Sequence, residues 1–114
     1  MPVTAAQVKK MALAFPGANE SSHYGYPSFK IGKKFFTRVR SEDNSLVLPV
    51  GSMDEREMLL ENDPALLHIT PHYQNYPAVL VRLKKLDAKT LRGILERRFR
   101  QIAPRRLLRE FEAK

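Results

Sequence analysis

The chain has 114 residues, no cysteine and a net charge of +8, from 20 lysines and arginines against 12 aspartates and glutamates. Its length fits a single domain over residues 1–114, and its longest apolar run, near residues 78–81, is far shorter than the roughly 18 residues that a membrane span needs. Without cysteine, disulfides and thiolate metal sites are excluded, and because no secretory signal opens the chain we expect a cytoplasmic protein.

The first half of the sequence predicts one helix followed by a three-stranded meander. Thr4 and Gln7 have the spacing of a capping box, and apolar residues recur at helical spacing as far as Ala14. Residues 18–27, which are rich in Asn, Ser, Gly and Pro, are interpreted as an ordered loop. Alternating apolar residues then predict three strands, over residues 29–31, 35–39 and 46–50. The first two of these strands form a hairpin that turns at Gly32.

The second half of the sequence predicts a short acidic helix, two strands and a long basic helix. Ser52 and Glu55 repeat the capping-box pattern, in a helix that ends near Asn62. The strand candidates are residues 66–69 and 77–83. Asp87 caps the long helix, and Pro104 ends it and begins a short terminal one. The order α-β-β-β-α-β-β-α indicates an α+β domain whose helices pack on an antiparallel or mixed five-stranded sheet.

The positive charge is concentrated at the two ends of the chain, since residues 1–44 carry a net charge of +4, residues 45–77 −4 and residues 78–114 +8. If the fold brings the hairpin beside the last helix, their cations form one face that attracts polyanions. The cations predicted to bind nucleic acid are Lys30, Lys33, Lys34, Arg38 and Arg40 of the hairpin, and Lys89, Arg92, Arg97 and Arg100 of the helix. The expected partner is duplex DNA, bound mainly through its phosphates with weak sequence specificity. In the alternative interpretation these side chains only solvate the surface, with Glu96 pairing with Arg100.

Histidines and tyrosines are grouped in two loops, which suggests an alternative function as a non-catalytic module that binds a protein or a small molecule. If the loops meet, they form a pocket wall from His23, Tyr24, Tyr26, His72 and Tyr76. In the simpler interpretation these side chains only order their own loops. His68 and His72 have the four-residue spacing of a helical metal pair, but Pro71 between them argues against a helix, so no metal site is predicted.

No motif in the sequence indicates catalysis. The five glycines form neither G-x-G-x-x-G nor a phosphate-binding loop. Ser21, Ser22 and His23 are adjacent, but adjacency along the chain does not place a hydroxyl and an imidazole in reacting geometry. The acidic residues that follow Ser52 are explained by the favourable effect of negative charge at a helix N-terminus. We therefore expect a binding protein that is not an enzyme and needs no cofactor.

Several motifs of the chain resemble the MmcQ/YjbR-like family. These motifs are Phe15-Pro16-Gly17, Glu20, residues 23–29, Gly32-Lys33-Lys34-Phe35-Phe36 and residues 77–83. The similarity extends over about residues 8–102 and implies an α+β fold of the CyaY-like and secretion-chaperone-like kind. Members of the family are described as predicted DNA-binding proteins with a double-wing motif, and no catalytic residues or cofactor are established for them. Many members carry Trp just before the fifth strand, where this chain has Asn75 and Tyr76, so the resemblance assigns the role of that aromatic ring to Tyr76.

Overall fold

A computed structural model describes residues 2–23, 26–40 and 43–113 of the chain. Within these ranges the α-helices are α1 (Ala5–Leu13), α2 (Met53–Asn62), α3 (Ala88–Ile102) and α4 (Arg105–Glu112). The strands are β1 (Ala18–His23), β2 (Tyr26–Ile31), β3 (Lys34–Arg40), β4 (Ser45–Pro49), β5 (Leu67–His68) and β6 (Ala78–Arg82). Short 3-10 helices at Pro71–Tyr73 and Leu83–Lys85 flank β6. The α+β class predicted from the sequence is confirmed.

The six strands of the described chain form one antiparallel sheet in the order β1-β2-β3-β4-β6-β5. The prediction of five strands is wrong at residues 18–27, because β1 and the first residues of β2 occupy the predicted loop. β1 pairs with β2 along its whole length, from Ala18 opposite Ile31 to His23 opposite Tyr26. β1 is an edge strand of mostly polar residues, so it lacks the apolar alternation by which strands are recognised.

Local side-chain caps fix where the helices begin. Oγ1 of Thr4 accepts a hydrogen bond from the Gln7 amide over 3.2 Å, and Oε1 of Gln7 accepts one from the Thr4 amide over 2.9 Å. Ser52 accepts from the Glu55 amide at the start of α2, and the Asp87 carboxylate caps α3 in the same way. The three helix starts predicted from the sequence are therefore confirmed, because a cap depends on residues that are neighbours in the chain.

The hydrophobic core lies between one face of the sheet and helices α1, α3 and α4. Its fully buried members include Val8, Ala12, Phe29, Phe36, Leu46, Val81, Leu91, Leu95 and Phe99. The ring centroid of Phe99 lies 5.0 Å from that of Phe15 and 5.2 Å from that of Phe111, so three aromatic rings join the segment that follows α1 to α3 and α4. None of the helices in the described ranges is long and apolar enough to cross a membrane.

Candidate functional site

The pleat of the sheet places the predicted nucleic-acid-binding residues on two sides. Phe29 and Val39 belong to the helix-side core. Because successive strand residues point to opposite faces, Lys30, Arg38 and Arg40 project from the other face, which we call the loop side. Lys33 and Lys34 lie at the hairpin turn, and the four helix cations of the prediction lie on α3, across the sheet: Lys89, Arg92, Arg97 and Arg100. The expectation that hairpin and helix cations share one face is therefore wrong for the three strand residues.

Two of the strand cations are largely withdrawn from solvent. Arg38 is only 6% exposed. The side chain of Arg40 is half-buried, and its Nε donates to Oδ2 of Asp43 over 3.3 Å. The Arg40 guanidinium also lies 5.3 Å from the centre of the Tyr73 ring, within the range of a cation–π contact. Side chains in these positions are poorly placed to reach a duplex backbone.

Arg100 forms ion pairs with one carboxylate of α3 and one of α4. Its Nε lies 3.4 Å from Glu96, and its Nη1 lies 3.5 Å from Glu112. The pairing of Glu96 with Arg100 that the sequence offered as the alternative is confirmed. Lys89 and Arg92 of the same helix are exposed, and their proposed contact with nucleic acid stays a prediction.

Arg98, which the sequence did not single out, anchors α3 to the sheet. Its Nε donates to the carbonyl of Phe36 over 3.1 Å, and its Nη2 donates to the carbonyl of Phe35 over 2.8 Å. Burial of the guanidinium lowers the pKa of Arg98 from its ordinary value. In the sequence Arg98 looks like any other basic residue of α3, because only the fold shows that these carbonyls lie beneath it.

The Arg98 anchor brings α3 to the turn of the β2–β3 hairpin. Phe35, one of its two acceptors, directly follows Lys34 in the chain. Lys33, Lys34 and Arg97 are all exposed and form no ion pair with a described residue. We call Lys33, Lys34 and Arg97 the turn patch. Its members flank the contact between hairpin and helix, since Lys34 precedes Phe35 and Arg97 precedes Arg98 in the chain.

The loop side of the sheet contains a partly open cavity of about 260 Å³. Its lining includes Phe35, Arg38, Val47, Pro49, Tyr73 and Tyr76. Strand residues supply Phe35, Arg38 and Val47, whereas Tyr73 and Tyr76 come from the segment between β5 and β6. We call this cavity the sheet pocket. It combines aromatic and aliphatic walls with one guanidinium.

Arg56 of α2 holds the aromatic wall of the sheet pocket. It is 5% exposed, and its Nη1 lies 3.1, 2.7 and 3.2 Å from the backbone carbonyl oxygens of Tyr73, Gln74 and Tyr76. Its charge is balanced by Glu57, whose Oε1 lies 2.6 Å from Nη2. Arg56 is the only lysine or arginine among residues 45–77, and this isolation within an acidic segment is the signal that the sequence offers for it.

The sheet pocket includes only part of the pocket predicted from the sequence. Tyr76 lines it, and His72 packs beside it, with ring centroids 4.8 Å from Tyr73 and 6.2 Å from Tyr76. The other three residues of that prediction belong to the first loop. Tyr24 and the side chains of His23 and Tyr26 lie outside the described residues. Within the described ranges no group of three His, Asp or Glu residues is arranged to hold a metal ion.

His68 belongs to a polar cluster on the loop side. Its Nε2 lies 2.8 Å from Oγ of Ser45, which is fully buried and donates its proton to the Asp43 carbonyl over 3.2 Å. Burial, and next the positive charge of Arg82, lower the pKa of His68 below 6.5. His68 is therefore held neutral in the folded chain at pH values where an exposed histidine is already protonated.

We expect the chain to lose stability as the pH falls from about 7.5 to about 5.5, and part of this loss to come from His68. The unfolded chain binds a proton at His68 near pH 6.5, while the folded chain binds it at lower pH, so acidification favours the unfolded state. Urea denaturation of the unmodified protein and His68→Gln at both pH values measures the effect. The variant should show the smaller difference between the two pH values, and an equal difference would contradict this assignment.

Comparisons with known proteins place the chain in one family. A family model described as YjbR matches residues 13–101. The chain is 32% identical over 90 residues to an uncharacterised protein of Mycobacterium bovis, Mb2600, and the match covers 76% of this chain and 70% of that protein. Uncharacterised proteins of Mycobacterium tuberculosis, MT2646 and Rv2570, match with the same identity and coverage. No solved structure matches the chain significantly.

Proposed function

The chain belongs to the YjbR family, and we propose that it binds nucleic acid through phosphate contacts made by the turn patch. The observation that carries this proposal is the exposure of Lys33, Lys34 and Arg97 beside the Arg98 anchor, in a chain with a net charge of +8. The expected partner is duplex DNA. The β2–β3 hairpin is its wing, and Lys89 and Arg92 extend the surface along α3.

The proposed binding is weakly selective for sequence. Lysine and arginine on an exposed turn reach phosphate oxygens, and phosphate contacts fix position without reading bases. Direct readout needs side chains such as Asn, Gln or bidentate Arg placed along a groove, and the turn patch offers two lysines and one arginine. Affinity therefore depends on charge and salt more than on the target sequence.

We infer that the activity is binding and not catalysis. Among the described residues, the hydroxyl of Ser45 and the imidazole of His68 come closest to the geometry of a nucleophile–base pair, with 2.8 Å between Oγ and Nε2. Ser45 is fully buried, however, and its Oγ also lies within hydrogen-bond distance of the Asp43 carbonyl, 3.2 Å. A nucleophile must reach substrate, and a fully buried hydroxyl does not.

Reversing two charges of the turn patch should weaken duplex binding by about tenfold or more, because two phosphate contacts become repulsive. The test variant is Lys33→Glu/Lys34→Glu, and the matched control is Lys84→Glu/Lys85→Glu, which changes the net charge by the same amount. The control residues follow Arg82, at the far end of the sheet from the turn, about 20 Å away if β3 rises 3.4 Å per residue over its seven residues.

Fluorescence anisotropy with a labelled random duplex at low salt measures this difference, after thermal melts show that both variants are folded. The control should lose at most about threefold, since only long-range attraction changes. Equal losses in the two variants would show that net charge, and not the turn patch, governs binding. Absence of binding by the unmodified protein at low salt would refute the proposed function.

A further inference from the structure

We propose that the sheet pocket is a binding site for a small aromatic carboxylate, independent of the nucleic-acid surface. The ring of such a ligand lies against Phe35, Tyr73 and Tyr76, and its carboxylate faces the guanidinium of Arg38. This inference goes beyond the proposed function, because the pocket lies on the loop side of the sheet and the turn patch is not part of its lining.

The size and the walls of the pocket favour a ligand with one flat ring system. Its volume of about 260 Å³ is slightly below the range of about 300 Å³ and more that is typical of sites for drug-sized molecules. Val47 and Pro49 supply an aliphatic surface, and three aromatic rings surround it. Aromatic faces prefer offset or edge-on contact with another ring, so a planar ligand uses these walls better than a branched aliphatic one.

The charges of the strand residues on the loop side favour an anion. The strands place Lys30, Arg38, Arg40 and Arg82 on this face, and its described strand residues include no carboxylate. Asp43, at the end of this face, is paired with Arg40. A guanidinium has five N–H donors in a flat fork that matches a carboxylate, so Arg38 can serve a ligand oxygen in addition to the contacts it already makes.

A second guanidinium on this face has donor capacity to spare. Nη1 of Arg82 is buried and has no hydrogen-bond partner in the described chain. Arg82 lies two residues beyond Leu80, which is in the same cross-strand row as Arg38 and Val47. Arg82 does not line the sheet pocket, so its contribution to the attraction for an anion is limited to its positive charge.

The aromatic wall is positioned before any ligand arrives. Arg56 fixes the backbone of Tyr73 and Tyr76 through their carbonyl groups, and the Arg40 guanidinium covers one face of the Tyr73 ring. Tyr76 remains 54% exposed at the mouth of the pocket. A preformed wall loses little conformational freedom on binding, which favours affinity for a small ligand.

NMR titration of the full chain, with backbone amide shifts as the readout, tests the proposal. The probes are benzoate and indole-3-carboxylate, with benzamidine as a cation of similar shape and cyclohexanecarboxylate as a non-aromatic anion. We expect saturable shifts at Tyr73, Tyr76 and Ala78 with both aromatic carboxylates, and affinity at least about tenfold lower for benzamidine and cyclohexanecarboxylate. Equal binding of benzamidine, shifts confined to other surfaces, or no shift at millimolar benzoate would overturn the proposal.

A pair of matched variants localises the ligand. Tyr76→Ala removes an exposed ring of the wall, and Met58→Ala removes a side chain of similar exposure, 53%, that lines no part of the pocket. Tyr76→Ala should weaken benzoate about fivefold or more, while Met58→Ala should leave its affinity unchanged. Unchanged binding by Tyr76→Ala would contradict the assignment. The variant Lys33→Glu/Lys34→Glu should bind benzoate normally, which separates this site from the proposed nucleic-acid surface.

Discussion

Replacing Arg56 by methionine should lower the free energy of unfolding by about 2 kcal/mol, because a buried donor group is removed from three backbone carbonyls. The carbonyls of Tyr73 and Tyr76 keep one backbone partner each, the amides of Tyr76 and Ala78. The carbonyl of Gln74 depends on Arg56 for the shortest of the three bonds, 2.7 Å. Methionine keeps the apolar stem of the side chain, so the change isolates the loss of hydrogen bonds.

Thermal melts of Arg56→Met, compared with those of the control Glu57→Gln, measure this effect. Glu57 is the exposed partner of the Arg56 ion pair, and its replacement leaves every contact to the segment 73–76 in place. Glu57 is 57% exposed and glutamine keeps an Oε1 acceptor for Arg56, so the control should lose less than about 1 kcal/mol. A melting temperature of Arg56→Met equal to that of the unmodified protein would show that the segment does not depend on this side chain.

Replacing Gly17 by alanine should lower the free energy of unfolding by about 2 to 3 kcal/mol, from two separate causes. Gly17 has a φ of +74°, a left-handed conformation that costs alanine about 1 kcal/mol or more. In addition, a Cβ built at this position overlaps Cδ1 of Leu107, which is 4% exposed and fixes α4 to the core. The second cause predicts that α4 becomes the least stable helix of the variant.

Gly32 provides the matched control for Gly17. Its φ of +61° imposes a similar backbone cost, but a Cβ there has no neighbour within 4 Å. Gly32→Ala should therefore lose only about 1 kcal/mol, and the difference between the two variants measures the overlap with Leu107. If denaturant unfolding shows that both variants lose the same free energy of unfolding, α4 moves away from Gly17 at no cost. Hydrogen exchange of the α4 amides shows whether the loss is local.

The parts of the fold that depend on neighbouring residues could be predicted from the sequence. Thr4, Ser52 and Asp87 each cap a helix within three residues along the chain, and Pro104 separates α3 from α4 as expected. β1 could not be predicted, because its polar residues become a strand only by pairing with β2. The pairing partner of an edge strand lies in tertiary structure that local patterns do not contain.

The candidate sites also combine features that the sequence predicts with features that depend on tertiary structure. Counting charges identified the basic segments, but the side of the sheet to which Lys30, Arg38 and Arg40 belong depends on strand pairing and on where the helices pack. Arg56 and Arg98 act through backbone carbonyls of segments distant in the chain, 17 and 62 residues away. Such contacts leave no periodic pattern, so composition can suggest a polyanion partner without showing which cations remain available to it.

The salt dependence of duplex binding is the most direct test of the turn patch as a phosphate-binding surface. Each phosphate contact adds about 0.9 to the slope of log affinity against log salt concentration, so the slope should be about 2.7 for the three cations of the patch, and steeper if Lys89 and Arg92 contribute. Lys33→Glu/Lys34→Glu should reduce the slope by about 1.8, and Lys84→Glu/Lys85→Glu should leave it nearly unchanged. A flat slope for the unmodified protein, or one that the turn variant does not reduce, would contradict the account.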